Sequence, residues 1–124
     1  MILALAVALL GGLGAATRFV VDGAIRTRWT SALPTATIVV NVSGSLLIGL
    51  LAGAAAYHHL AADLRLVAAT GFCGGYTTFS TAMVETVRLA RAGEVRRALV
   101  NAVGTLVLTV AAAAAGIALM AALA

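Results

Sequence analysis

Between Gly71 and Thr81 the chain reads Gly-Phe-Cys-Gly-Gly-Tyr-Thr-Thr-Phe-Ser-Thr, with three glycines, three threonines and a serine in eleven residues. Residues 64–69 and 82–90 on either side are mainly apolar. Glycine weakens a helix by about 1 kcal/mol per residue, and threonine is a poor helix former. The run therefore predicts a break in what would otherwise be a continuous apolar helix. A break at membrane depth leaves backbone carbonyls and amides without partners. Such groups are tolerated only where they are buried in protein or line a polar cavity, and broken membrane helices commonly bind ions. Two four-residue stripes add side-chain donors. Thr37, Asn41 and Ser45 continue into Gly49 and Gly53, and Asn101, Thr105 and Thr109 form a second series. Residues at i and i+4 share one helix face, so each stripe presents its polar groups to one side. An isolated Ser or Thr of this kind usually bridges neighbouring helices. Two aligned stripes beside a break point instead to a polar pathway.

The elements that must position these groups follow from hydropathy. The chain has 124 residues, of which 63% are hydrophobic and 10% charged. Four apolar segments, residues 2–21, 33–56, 64–90 and 98–124, each reach the ~20 residues that a helix needs to span a bilayer. They are apolar nearly all round, whereas a soluble bundle would carry apolar stripes with polar outer faces. The expected fold is an all-α membrane protein of four transmembrane helices, the third broken near mid-membrane, with residues 1–124 forming a single four-helix transmembrane unit. The first segment lacks a basic leading region and continues past any small-residue cleavage site, so it is expected to be a retained helix and not a signal peptide.

All eight basic residues are arginines, and most fall between the apolar segments. That distribution marks membrane topology, not nucleic-acid binding. The first and third loops carry Arg26, Arg28, Arg88, Arg91, Arg96 and Arg97, against Arg65 alone on the side of the second loop. The positive-inside rule then places loops one and three in the cytoplasm and both termini outside. Cys73 is expected to be a small buried residue and His58–His59 a solvated turn. Gly11, Gly12, Gly14, Gly49, Gly53, Gly71 and Gly75 are expected to serve close helix packing.

Arg18 follows seventeen uncharged residues. It either snorkels to the cytoplasmic surface or faces a wet vestibule that attracts anions. Glu85 is the other vestibule candidate, or else a surface partner for Arg88 at i+3. The stripes offer hydroxyls and amides without an embedded carboxylate, which favours an anion or a small neutral solute over a proton-coupled exchanger. Phe79 adds an electropositive ring edge. These residues do not distinguish fluoride from chloride.

Three stretches carry a family resemblance: Gly11-Gly-Leu-Gly-Ala-Ala-Thr-Arg18, Thr37-Ile-Val-Val-Asn-Val-Ser-Gly-Ser45 and the run from Gly71 to Thr81. Through them the chain resembles the Fluc (CrcB) family of bacterial fluoride channels over essentially its whole length. The resemblance implies a channel subunit of the cell membrane, not an enzyme, through which fluoride leaves the cytoplasm passively. It implies an antiparallel dimer with two narrow pores and a central structural sodium ion. The positions that match the family's sodium ligands are Gly74 and Thr77, acting through backbone carbonyls. Asn41 matches the pore asparagine and Phe79 the first of two pore phenylalanines. Ser80, Thr81, Thr105 and Thr109 complete the expected pore set. Family members usually carry a second phenylalanine where this chain has Ala82.

The expected partners are fluoride, membrane lipid and an antiparallel homologous subunit. A dual-topology chain would carry balanced arginines, so six against one favours a heterodimer over a homodimer. Ala82 and the same bias also suit a non-conducting subunit whose role is assembly. A small multidrug-type exporter, likewise four-helical and dimeric, would need a glutamate embedded in the first helix, and none is present.

Overall fold

The computed structural model describes residues 1–124 and is entirely helical. Helix α1 (Ile2–Arg28) is followed by α2 (Thr35–Tyr57) and a short α3 (Ala62–Leu66). The chain then widens into a π-helical stretch, Val67–Cys73, tightens into α4 (Gly74–Tyr76), and resumes as α5 (Phe79–Arg91) and α6 (Val95–Ala122). Three of these, α1, α2 and α6, are long and apolar enough to cross a membrane. At 1.5 Å per residue, α1 is about 40 Å long. It runs beyond the expected segment 2–21 and places Arg26 and Arg28 in its last turn, where positive charge complements the helix dipole. The fourth apolar segment is the interrupted stretch from Ala62 to Arg91.

Glycine density does not by itself locate the interruption. Gly71, Gly74 and Gly75 all remain helical, and only Thr77 and Thr78 leave the helix. Their backbones are extended, with ψ of 161° and 117°. Helix α5 restarts because Thr78 caps it: its hydroxyl oxygen accepts from the Thr81 amide at 3.2 Å, the usual work of an N-cap threonine. The turn into α6 is equally specified. Gly93 has φ of +82°, the Gly93 amide bonds Ala90 O, and the Glu94 amide bonds Leu89 O at 2.9 Å. These two bonds around a left-handed glycine form a Schellman motif, which makes α5 and α6 a tight antiparallel pair.

Helix α2 packs along α6, while α1 packs against the π-helical stretch and α4. Both contacts depend on small residues. A Cβ on Gly49 would meet the Ala113 carbonyl, and one on Gly116 would lie 2.6 Å from Leu46 O. Across α1, a Cβ on Gly14 would meet the Phe72 carbonyl and one on Gly75 the Gly11 carbonyl. Gly12 differs from the expectation, because nothing lies within 4 Å of its Cβ position. Only 16 of 124 residues are buried, among them Val40, Cys73 and Asn101. Most leucine and valine side chains of α1 and α6 point outward.

The two ends of the bundle have different chemistry. At one end Arg26 Nη2 reaches Glu85 Oε1 at 2.9 Å and ties the end of α1 to α5. At the other, His58 Nε2 lies 2.8 Å from Met120 O and holds the end of α2 to the end of α6. His58 is exposed, as expected of a turn, but its ring donates to a helix-terminal carbonyl and is not simply solvated. Arg65 belongs to this second end.

Candidate functional site

The two extended residues gather most of the polar side chains. Asn41, on α2, clamps Thr78 from both sides of its peptide. Asn41 Nδ2 donates to Thr78 O at 2.9 Å, and the Thr78 amide donates to Asn41 Oδ1 at 2.8 Å. The pair is buried, so the amide side chain supplies the partners that the broken helix has lost. Asn41 is thus first a support for the break. One Nδ2 hydrogen remains for another acceptor.

The clamp has a consequence one turn earlier. In a continuous helix the Thr78 amide would bond the Gly74 carbonyl. Engaged by Asn41, it leaves that carbonyl without its usual donor. Thr77 is turned the other way: its amide and its hydroxyl both donate to Cys73 O, at 2.9 and 2.8 Å. Only the Thr77 carbonyl faces away from α4, and Arg18 Nη1 donates to it at 3.2 Å. Arg18 is therefore tied to the break instead of extending to the surface, and it also lines a cavity beside Thr78. Gly74 is exposed, with open space at its Cβ position, so nothing within this chain demands a glycine there.

On one side of the break lies a cavity of about 360 Å³. It brings together Asn41 and Ser45 of α2, Thr77 and Thr78, Phe79 and Ala82 of α5, and Asn101, Thr105 and Thr109 of α6. The two stripes thus line one space. Their hydroxyls are not equivalent. Thr109 Oγ1 donates to Leu106 O at 3.0 Å within its own helix. Thr105 Oγ1 is buried with no partner, as is Asn101 Oδ1. Asn101 Nδ2 donates to Thr86 Oγ1 at 2.8 Å, and Thr86 Oγ1 in turn donates to Ala82 O. Phe79 is 79% exposed and has no packing obligation inside the chain, whereas Ala82 is buried in the cavity wall.

Ser80 and Thr81 do not line this cavity. Thr81 lies on the other side of Thr78, in a space of about 330 Å³ shared with Arg18, Asp22, Arg26 and Thr37. Ser80 and Thr81 also line a third cavity with Arg26, Glu85 and Arg88. The sequence grouping of six pore residues therefore separates into two faces of the break. Glu85 is likewise reassigned: its partner is Arg26, which also holds Asp22 at the same time, and not Arg88. Thr37 Oγ1 is buried and unpartnered at the wall of the second cavity. Asn101 and Ser45 were readable from their stripes, but nothing in their spacing ranked them above Ser80 or Thr81.

The donor set fits a hard monovalent cation at the break. Such ions take oxygen ligands, and unwound backbone supplies them without buried negative charge. The Gly74 carbonyl lacks its helical donor, and the Thr77 carbonyl keeps one lone pair beyond Arg18. No cluster of three or more His, Cys, Asp or Glu side chains offers an alternative metal site.

The family described as "CrcB-like protein, Camphor Resistance (CrcB)" matches residues 5–117. Among curated relatives, the Fluoride-specific ion channel FluC 1 of Leifsonia xyli subsp. xyli is 47% identical over 113 residues, covering 91% of this chain and 82% of that protein. The Fluoride-specific ion channel FluC 2 of Mycolicibacterium paratuberculosis is 50% identical over 107 residues, 86% of this chain and 84% of the relative. A third, the FluC 2 of Cutibacterium acnes, is 47% identical over 115 residues, 91% of this chain and 93% of its own length.

Proposed function

We infer, from the fact that this chain belongs to the CrcB-like protein family, that it is a subunit of a fluoride-selective channel and lets fluoride leave the cytoplasm passively. It is a multi-pass protein of the cell membrane and not an enzyme. The observation that carries the reading is the cavity beside the break, where Asn41, Phe79, Thr105 and Thr109 converge without a carboxylate. Ion passage needs donors that replace hydration yet release the ion. The second Nδ2 hydrogen of Asn41 and the unpartnered hydroxyl of Thr105 are such donors. Thr109 contributes less, because its proton is engaged by Leu106. The edge of Phe79 is an additional electropositive surface.

In this reading the interrupted stretch from Ala62 to Arg91 is the fourth span, broken near mid-membrane. The break sets the end of a helix, with its carbonyls, beside the start of α5, with its amides. Helix dipoles favour cations at the first and anions at the second. A sodium ion held by the carbonyls of Gly74 and Thr77 would supply fixed positive charge at the break. Two such carbonyls per chain suit a site completed by a second, antiparallel subunit. Arg18, Arg26 and Thr81 line the positively charged approach to the break, with Ser80 and Glu85 at its outer edge.

Reconstituted with its partner subunit and loaded with fluoride, the protein is expected to discharge liposomes of fluoride. Chloride efflux under the same conditions should remain at the protein-free rate. A fluoride-selective electrode and a chloride electrode read the two. Equal chloride flux, or no fluoride flux with any partner, would remove the functional reading.

The arginine distribution supports a heterodimer. The contact of Arg26 with Glu85 joins the last turn of α1 to the middle of α5, whose later residues continue toward the third loop, so the arginine-rich loops lie at one end of the bundle. A chain with fixed orientation needs an oppositely oriented homologue to form an antiparallel pair. Ala82 accords with this, because a fixed partner can sustain one competent pore while a second, lacking its phenylalanine, falls silent. A C-terminal reporter active only outside should give signal from this chain, and one active only inside should stay dark. Equal signals from both, with fluoride resistance conferred by this chain alone, would establish a homodimer instead.

A further inference from the structure

Arg18 carries a charge that nothing else in the chain balances. Sixteen uncharged residues precede it in α1. Its single hydrogen bond runs to the Thr77 carbonyl. Asp22, one turn further on, is held by Arg26, which also engages Glu85. No carboxylate lies within ion-pair distance of Arg18. The guanidinium nevertheless stands beside a carbonyl that the sodium reading assigns to a cation. A peptide oxygen has two lone pairs, so both can be served at once, but the two positive charges then repel each other in a medium that screens them poorly.

We propose that Arg18 is a positioning residue that fixes the Thr77 carbonyl and, by its charge, sets how weakly the break takes a cation. The proposal rests on the sodium reading above for the identity of the second cation, and on the Arg18–Thr77 bond for everything else. The guanidinium holds the extended peptide in place whether or not a metal ion is bound. It also keeps the cation requirement of the break low, since part of the field that the carbonyl seeks is already supplied by the chain. Neutralising Arg18 transfers that demand to the metal ion.

The test uses the assembled, purified dimer and reads thermal stability as sodium replaces N-methylglucamine at constant ionic strength. Arg18→Gln keeps a side-chain donor and removes the charge. It is expected to move the sodium midpoint of stabilisation to about tenfold lower concentration or further. Arg18→Lys keeps the charge and should leave the midpoint near that of the unmodified protein, even if its melting temperature is lower. Should Arg18→Gln not yield folded dimer, the lysine variant still decides, because a tenfold shift there overturns the role of charge. An unchanged midpoint in Arg18→Gln overturns the proposal while sodium dependence itself survives. A response to sodium in neither protein overturns this proposal and the sodium reading together. A response gained only by Arg18→Gln supports the proposal, with Arg18 then serving as the cation of the unmodified break.

Discussion

Asn41→Leu is expected to abolish fluoride efflux, with a loss of more than ~10-fold at equal reconstituted protein. Leucine has the same branched heavy-atom skeleton as asparagine and is somewhat larger, so the effect does not come from a void. It comes from Thr78, whose amide and carbonyl both lose their partner. A buried polar group left unpaired costs about 1–3 kcal/mol, so the pair represents on the order of 2–6 kcal/mol. The chain can recover part of this by letting the Thr78 amide return to the Gly74 carbonyl, which would make the break helical. That removes both the carbonyl end and the α5 cap. Thr109→Val is the appropriate comparison, because Thr109 donates within its own helix and its loss orphans no distant group. It should change flux by about twofold, the scale of a side chain without a specific structural duty. Fluoride-electrode traces from the two variants, normalised to folded dimer, measure the difference. Similar losses at both positions would show that the clamp does not control conduction.

Gly75→Val is expected to prevent the folded protein from accumulating at all. A Cβ at position 75 meets the Gly11 carbonyl oxygen, with Gly11 C at 2.9 Å and Ala15 N at 3.1 Å. These are backbone atoms, and no rotamer change relieves them. Valine adds three carbons; inserting extra carbons into a tight interior contact costs about 1–3 kcal/mol when side chains can yield, and more when only helices can move. Separating α1 from α4 would also pull Arg18 away from Thr77. Gly12→Ala, next to Gly11 in sequence but on the outward side of α1, provides the contrast. Its Cβ meets nothing within 4 Å, so it should be neutral or stabilising by up to about 1 kcal/mol from helix propensity. Size-exclusion yield of monodisperse protein distinguishes them. Recovery of normal dimer with Gly75→Val would refute the close-packing account.

The all-helical fold and the three spanning helices follow directly from apolar length. The site was legible where a stripe had one possible neighbour. Asn41 falls on one stripe and Thr105 and Thr109 on another by spacing alone, and the structure places the two stripes around one cavity. What spacing does not encode is which side of an extended peptide the next residues take. Ser80 and Thr81 follow Thr78 in sequence, yet after the extended backbone of Thr77 and Thr78 they line cavities with Arg26, and Thr81 one with Arg18 as well. The partner of Glu85 was missed for a related reason. Arg88 is close in sequence, but Arg26 belongs to another helix, and only packing brings the two together. Glycine count misled as to where the helix opens. Gly71 and Gly75 serve α1, and the break falls on two threonines because Asn41 offers them alternative hydrogen bonds.

The sixteen buried residues have a thermal consequence. In water-soluble domains, unfolding wets apolar surface and raises the heat capacity by about 12–15 cal/mol/K per residue. Here most leucines and valines face outward in the folded chain and remain in lipid or detergent when the helices separate. Little apolar surface changes its contact with water, so the heat-capacity step of dissociation is small. Stability then varies almost linearly with temperature instead of passing through a maximum, and cooling strengthens the assembly without a return toward cold denaturation.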